Sequence, residues 1–131
     1  MVTDDLKAIE IAFWDDTIWA QNFNFAHAEQ VLYNTTTALT NYSLQILGSA
    51  YSLLADNSTI LSGALRDYSG ASAFPTVYAV ANFLFFGDNT TSARSQAVIG
   101  DISITIASVP LPPAMVLMLT ACIGLTIQGH R

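Results

Sequence analysis

Few residues in this chain could do chemistry, and most of them stand alone. Glu10, Asp15 and Asp16 are the first acids that invite a reaction, because glycoside hydrolysis needs two carboxylates facing each other across a bond. On a strand, two side chains share a face only at even spacing. Glu10 and Asp15 are five apart and fall on opposite faces, so Asp15 and Asp16 read as a turn rather than an acid–base pair. Asp88 and Asn89, joined by Asp67 and Asp101, offer oxygens to a calcium ion, which takes about six to eight of them. No EF-hand spacing surrounds these residues, and turn formation is the simpler reading. His27, His130 and Cys122 are too scattered to make a zinc ligand set. The chain has no G-x-S-x-G elbow and no glycine-rich phosphate loop.

Trp14, Trp19, Tyr51, Tyr68 and Tyr78 could form a platform on which sugar rings stack, yet aromatics at alternating strand positions more often belong to a core. N-x-S/T sequons begin at Asn34, Asn41, Asn57 and Asn89, as Thr- and Asn-rich turns generate by chance.

The background to these residues is acidic and sparsely charged. A net charge of −6, with Lys7, Arg66, Arg94 and Arg131 dispersed singly, excludes a nucleic-acid role, which needs clustered cations. A single cysteine excludes an intrachain disulfide. With 52% hydrophobic and 11% charged residues, polarity comes from Ser, Thr and Asn, as in many exported β-rich proteins. At 131 residues the chain has room for one domain.

Hydrophobic patterning divides the chain into a β-rich body over residues 1–107, a proline-rich spacer over 108–113 and an apolar end over 114–131. Strands are expected over 8–14, 17–23, 29–33 and 41–47, the last stopped by Gly48. The clearest hairpin joins 50–55 to 59–68 through Asp-Asn-Ser, since Asp and Asn tolerate left-handed backbone and cap themselves. Two more strands are expected over 77–86, a long apolar run, and 97–107, where Ile102, Ile104 and Ile106 alternate with polar residues. Seven to nine short strands between turns point to an all-β antiparallel sandwich.

Three prolines between Ser108 and Pro113 forbid both helix interior and central strand. The uncharged run from 114 to 127 follows, with Ala114, Met115, Val116, Leu117, Met118, Leu119, Ile123, Leu125 and Ile127 among its apolar residues. As a helix it spans about 21 Å, against about 30 Å of hydrocarbon. Gln128, His130 and Arg131 can reach the interface from its end. Terminal position, proline spacer and basic tip favour a transmembrane helix over a core element.

Val109, Pro110, Leu111, Pro112 and Ala114, followed by this run and Arg131, resemble the PEP-CTERM sorting signal in its VPLPA-type variant. The departures are the extra Pro113 and a single arginine where that family carries a cluster. The resemblance implies export in a Gram-negative bacterium, a membrane as partner, and processing by an exosortase-type enzyme near the proline motif.

The stretches "YSLLADNSTILSGALRDYSG" and "NFLFFGDNTTSARSQAVIGDISI" are similar to the C-terminal part of concanavalin-like or laminin-G-like jelly rolls. The body is shorter than a complete module of that kind, and "MVTDDLKAIE" has no basic leader with an apolar run behind it. Three explanations stay open: an N-terminally truncated piece, a true start upstream of Met1, or a small sandwich exported by another route. The expected function is that of a non-enzymatic protein of the cell envelope or extracellular matrix, without cofactor unless calcium binds near Asp88. A carbohydrate-binding, lectin-like module with polysaccharide as partner is the alternative.

Overall fold

Two short-turn hairpins organise the body, and each is set by residues that accept left-handed backbone. Between β4 (Tyr42–Leu47) and β5 (Ala50–Ala55) the chain turns on Gly48 and Ser49 alone. Gly48 has φ +57, which gives the turn the II′ form that suits the twist of paired strands. Between β5 and β6 (Ser58–Ala64) the turn residues Asp56 and Asn57 both have positive φ, the I′ form. The three strands pair in the order β4-β5-β6, all antiparallel. Beyond Leu53↔Leu61 the register slips by one residue. This bulge turns Ile60 against the same core that Leu61 enters.

The second sheet is built earlier in the chain, from β1 (Ile11–Phe13), β2 (Thr17–Gln21) and β3 (His27–Leu32), in the order β1-β2-β3. The first turn carries Asp15 and Asp16 and is closed by Trp14 N–H donating to Thr17 O at 2.8 Å. In the second, Asn22 Oδ1 accepts from the backbone of Asn24 and Ala26, at 3.1 and 2.9 Å. Each sheet is therefore a meander in chain order.

The structure, a computed structural model, describes residues 1–70, 75–87 and 96–106, with the side chains of 75 and 76 left aside. The chain divides into two units, Met1–Asn89 and Thr90–Arg131. In the first unit the sheets face each other with β3 against β6, giving an all-β, sandwich-like body. Ile9, Ile18 and Ala20 from one side meet Tyr51, Leu53, Leu61 and Leu65 from the other. Burying a side chain such as Ile18 or Leu53 contributes about 1.5–3 kcal/mol. A second, smaller cluster joins Val2, Ala8, Tyr68 and Tyr78, with Phe25 and Phe83 against it. Isolated bridges tie it together: Val2 pairs with Ala8 and Phe83, and Ala8 with Arg66.

The expected strand over 77–86 is not formed. A single helical turn, α1 (Pro75–Tyr78), stands at its start, where proline's fixed φ suits the first helical position. Asn82 at φ +57 then interrupts extended backbone, leaving only Phe83 in a bridge. The expected strand over 97–107 is corrected as well. Residues 96–106, all that is described of the second unit, adopt no regular element, and Ile106 is 92% exposed. Alternation supplies one apolar face, but strand formation depends on the surface that face meets. Strand content therefore falls to six among the described residues. Among these residues no helix is long and apolar enough to cross a membrane. The proline spacer and the segment 114–131 expected as a helix lie outside the described residues.

Candidate functional site

The densest chemistry in the described residues forms a belt between the sheets, and it starts from a position where the pattern would place a hydrophobe. Glu29 occupies the same face of β3 as Val31, which packs on the core. Opposite it stands Gly63 of β6. A Cβ there would approach Glu29 Cδ to 2.8 Å and Tyr51 Cε1 to 3.0 Å, so the absence of a side chain makes room for the carboxylate. Arg66 Nη2 donates to Glu29 Oε2, and Tyr51 Oη donates to the same oxygen at 3.2 Å. The guanidinium carbon of Arg66 also lies 5.9 Å from the centre of the Tyr51 ring.

These neighbours set the charge states. Partial burial pushes the Glu29 carboxyl up, but its hydrogen bonds and the Arg66 charge outweigh this and hold it below the usual 4.5. Burial opposes the Arg66 cation, and the Glu29 bond and charge reverse that, leaving it above its ordinary value. Burial, with the Glu29 carboxylate beside it, pushes the Tyr51 phenol up to about 12.

From Arg66 the belt continues into the smaller cluster. Backbone of Arg66 and Ala8 exchange hydrogen bonds at 2.8 and 2.7 Å. Two residues on, Tyr68 Oη donates to Gln21 O at 2.7 Å, and burial holds this phenol at about 12. Tyr78 donates to Glu10 Oε2. Burial, aided by Glu10, places the Tyr78 phenol well above the usual range. The rings of Phe25, Tyr68 and Tyr78 pack at centroid distances of 5.0–5.7 Å. Trp19 Nε1, Gln21 Oε1 and Arg66 Nη1 are buried without a hydrogen-bond partner among the described residues.

Both inward carboxylates are thus engaged by internal donors, and what the arrangement does chemically is fasten. It joins β3 to β6 and anchors the residues that follow β6. No group of three or more His, Cys, Asp or Glu side chains among the described residues could hold a metal ion.

The residues singled out in the sequence are not brought together. Asp15 and Asp16 sit in an exposed turn, where their backbone oxygens accept from Thr35 and Tyr33 N–H at 3.0 and 2.9 Å. Glu10 stands beyond the other end of β1, on Tyr78. Asp67 is exposed and accepts from Ser69 N–H at 2.9 Å and its hydroxyl at 2.5 Å, and Asp101 is exposed in the second unit. Asp88, the residue named for calcium, lies outside the described residues with Asn89.

Of the five aromatics weighed as a sugar platform, Trp19, Tyr51, Tyr68 and Tyr78 are buried, and Trp14 alone is exposed, at 60%. Trp14 stacks edge-on against Trp19, whose other neighbour is the His27 ring at 4.2 Å. Outside the described residues lie the sorting motif (Val109, Pro110, Leu111, Pro112, Ala114) and the tip, Arg131. The apolar residues Met115, Val116, Leu117, Met118, Leu119, Ile123, Leu125 and Ile127 lie outside them too.

Sequence reasoning passed over Glu29 and Arg66. The signal available was a lone acid at an inward strand position, with a lone arginine just after the clearest hairpin. No family model, curated protein or solved structure matches the chain.

Proposed function

We propose that this chain is a non-enzymatic protein of the cell envelope or extracellular matrix, exported and delivered by a PEP-CTERM sorting signal. The observation that carries this reading is the order of features over 109–131: Val-Pro-Leu-Pro-Pro-Ala, an uncharged apolar run, then Arg131. The run would act as a transmembrane helix holding the chain while an exosortase-type enzyme reads the prolines. The two meanders would be the exported body. The jelly-roll likeness of 51–70 and 82–104 belongs to this reading too.

Support for a non-enzymatic role comes from the acids. Asp15 and Asp16 face solvent on a turn, and Glu10 is held by a tyrosine at the far end of the strand. The lectin-like alternative draws nothing further from the aromatics, because four of the five are core.

The test is to express the full chain behind a working signal peptide in a host with an exosortase, beside the Pro110→Ala/Pro112→Ala variant. Mass spectrometry then reads the C-terminus of each. Loss of the tail near residues 108–113 in the parent, with an intact tail in the variant, is the expected result. Equal, intact and soluble tails in both would sink the reading.

A further inference from the structure

We infer that β4 is an assembly edge, and that its occupant is β4 of a second copy of this chain. Among the described residues β4 pairs only with β5, so its outer side presents unpaired backbone. Folded proteins usually guard such an edge with lysine, proline, a bulge or an inward-pointing charge. This one has none of these: "YSLQIL" is uncharged and regular, and its register to β5 runs unbroken from Tyr42 to Leu47.

The wider charge pattern says what kind of partner fits. The chain carries a net charge of −6, which sets copies against one another. Yet residues 30–55 contain no Asp, Glu, Lys, Arg or His, and this interval holds all of β4 and β5. Two copies meeting here bring no charged side chain of β4 or β5 together, and the nearest carboxylate, Asp56, is held on Asn41 N–H at 3.1 Å at one end of the strand.

Backbone and side chains then restrict the registers that two copies can take. A two-residue turn makes its flanking pair, Leu47 and Ala50, a hydrogen-bonded pair, and alternation directs the peptide groups of Leu47, Gln45 and Ser43 toward β5. The outward groups therefore belong to Tyr42, Leu44 and Ile46. These residues stand opposite buried Ala55, Leu53 and Tyr51, so their side chains lie on the core face. Tyr42 and Leu44 nonetheless remain 37% and 36% exposed, and Phe13, edge-on to Tyr42 at 4.9 Å, widens the apolar rim.

Antiparallel pairings about a two-fold axis at Ser43, Leu44 or Gln45 satisfy both constraints, and the axis at Leu44 is the one that pairs all three outward residues. Leu44 faces its own copy, Tyr42 faces Ile46 and Ser43 faces Gln45 of the second molecule. Each outward N–H then meets a C=O, and both apolar faces lie on one side of a continuous six-stranded sheet. A slip of one residue would set Leu44 against Gln45 and turn the two cores to opposite sides. Pairing through β4 involves no residue of the sorting signal, so association and processing can fail separately.

The experiment uses the full chain in mild detergent with Cys122→Ser. Sedimentation is expected to show a monomer–dimer equilibrium. Under mild oxidation Leu44→Cys should cross-link to a covalent dimer. Gln45→Cys should not, because its symmetry mate lies two residues off register, beyond the Cα separation of about 7 Å that a disulfide tolerates. Ser43→Lys/Gln45→Lys opposes like charges across the edge and should weaken the dimer about tenfold or more. Ser43→Lys/Gln45→Glu should restore it, while circular dichroism confirms that both variants keep their sheets. A parent that stays monomeric on the order of 100 µM overturns the inference. So does cross-linking through Gln45→Cys in place of Leu44→Cys, or a dimer indifferent to the sign of residue 45.

Discussion

Glu29 shows how one side chain can be at odds with its strand and at ease in its surroundings. It takes an inward position of β3, and Gly63, Arg66 and Tyr51 turn that position from a liability into a fastening. A carboxyl held below its unfolded value stabilises the fold above that value, and the stabilisation is lost as pH falls through the depressed folded value. Below about pH 4.5 the parent should therefore lose stability more steeply than Glu29→Gln. Urea titrations of both chains at several acidic pH values check this. Asp5 and Asp67 are shifted the same way but are common to both chains, so the difference isolates Glu29. If the two curves run parallel, the Arg66 pair contributes nothing measurable. The lone acid and the lone arginine were each visible in the sequence, but their pairing was not, because Glu29 and Arg66 are distant in sequence and meet only once both sheets exist. The burial of Tyr51, Tyr68 and Tyr78 was legible, since aromatics on alternating positions seek a core.

At the scale of elements, turn chemistry was the readable part. Asp56 and Asn57 mark the β5–β6 hairpin because both accept φ above zero, and Gly48 marks the β4–β5 hairpin for the same reason. Nothing lies within 4 Å of a Cβ built on Gly48, so Gly48→Ala should cost only backbone strain, about 1–2 kcal/mol. Thermal unfolding should show that modest loss with the fold unchanged, and a collapse of the sheet would mean that the turn does more than reverse the chain. Apolar runs were the unreadable part. The segment 77–86 has strand composition, but a run that is apolar except for Asn82 carries no period to separate a strand from other backbone. Pro75 and Asn82 decided its local shape. Alternation over 101–106 is real, yet it states only what the segment could pair with.

For the molecule as a whole, polarity is graded: β4 and β5 carry no charged residue, Glu29, Arg66 and Glu10 are only half-buried, and the fully buried ionisable side chains among the described residues are phenols. Phenols held above their ordinary value of 10.0 stabilise the fold below that pH, and the contribution is lost as pH rises through their folded values. Tyr51 and Tyr68 should then ionise near pH 12, together with loss of sheet structure, in a titration that follows phenolate absorbance and circular dichroism in parallel. Their ionisation near the ordinary value with the sheets intact would place both rings in water.

Four successive residues, 65–68, carry one further consequence. Leu65 closes the larger cluster, Arg66 holds Glu29 and Ala8, and Tyr68 fills the smaller cluster. The two hydrophobic centres of the first unit are thus threaded on a single short stretch of backbone. Neither can melt without tugging its neighbour's anchor, which is the physical recipe for all-or-none unfolding from a chain that builds its sheets one after the other.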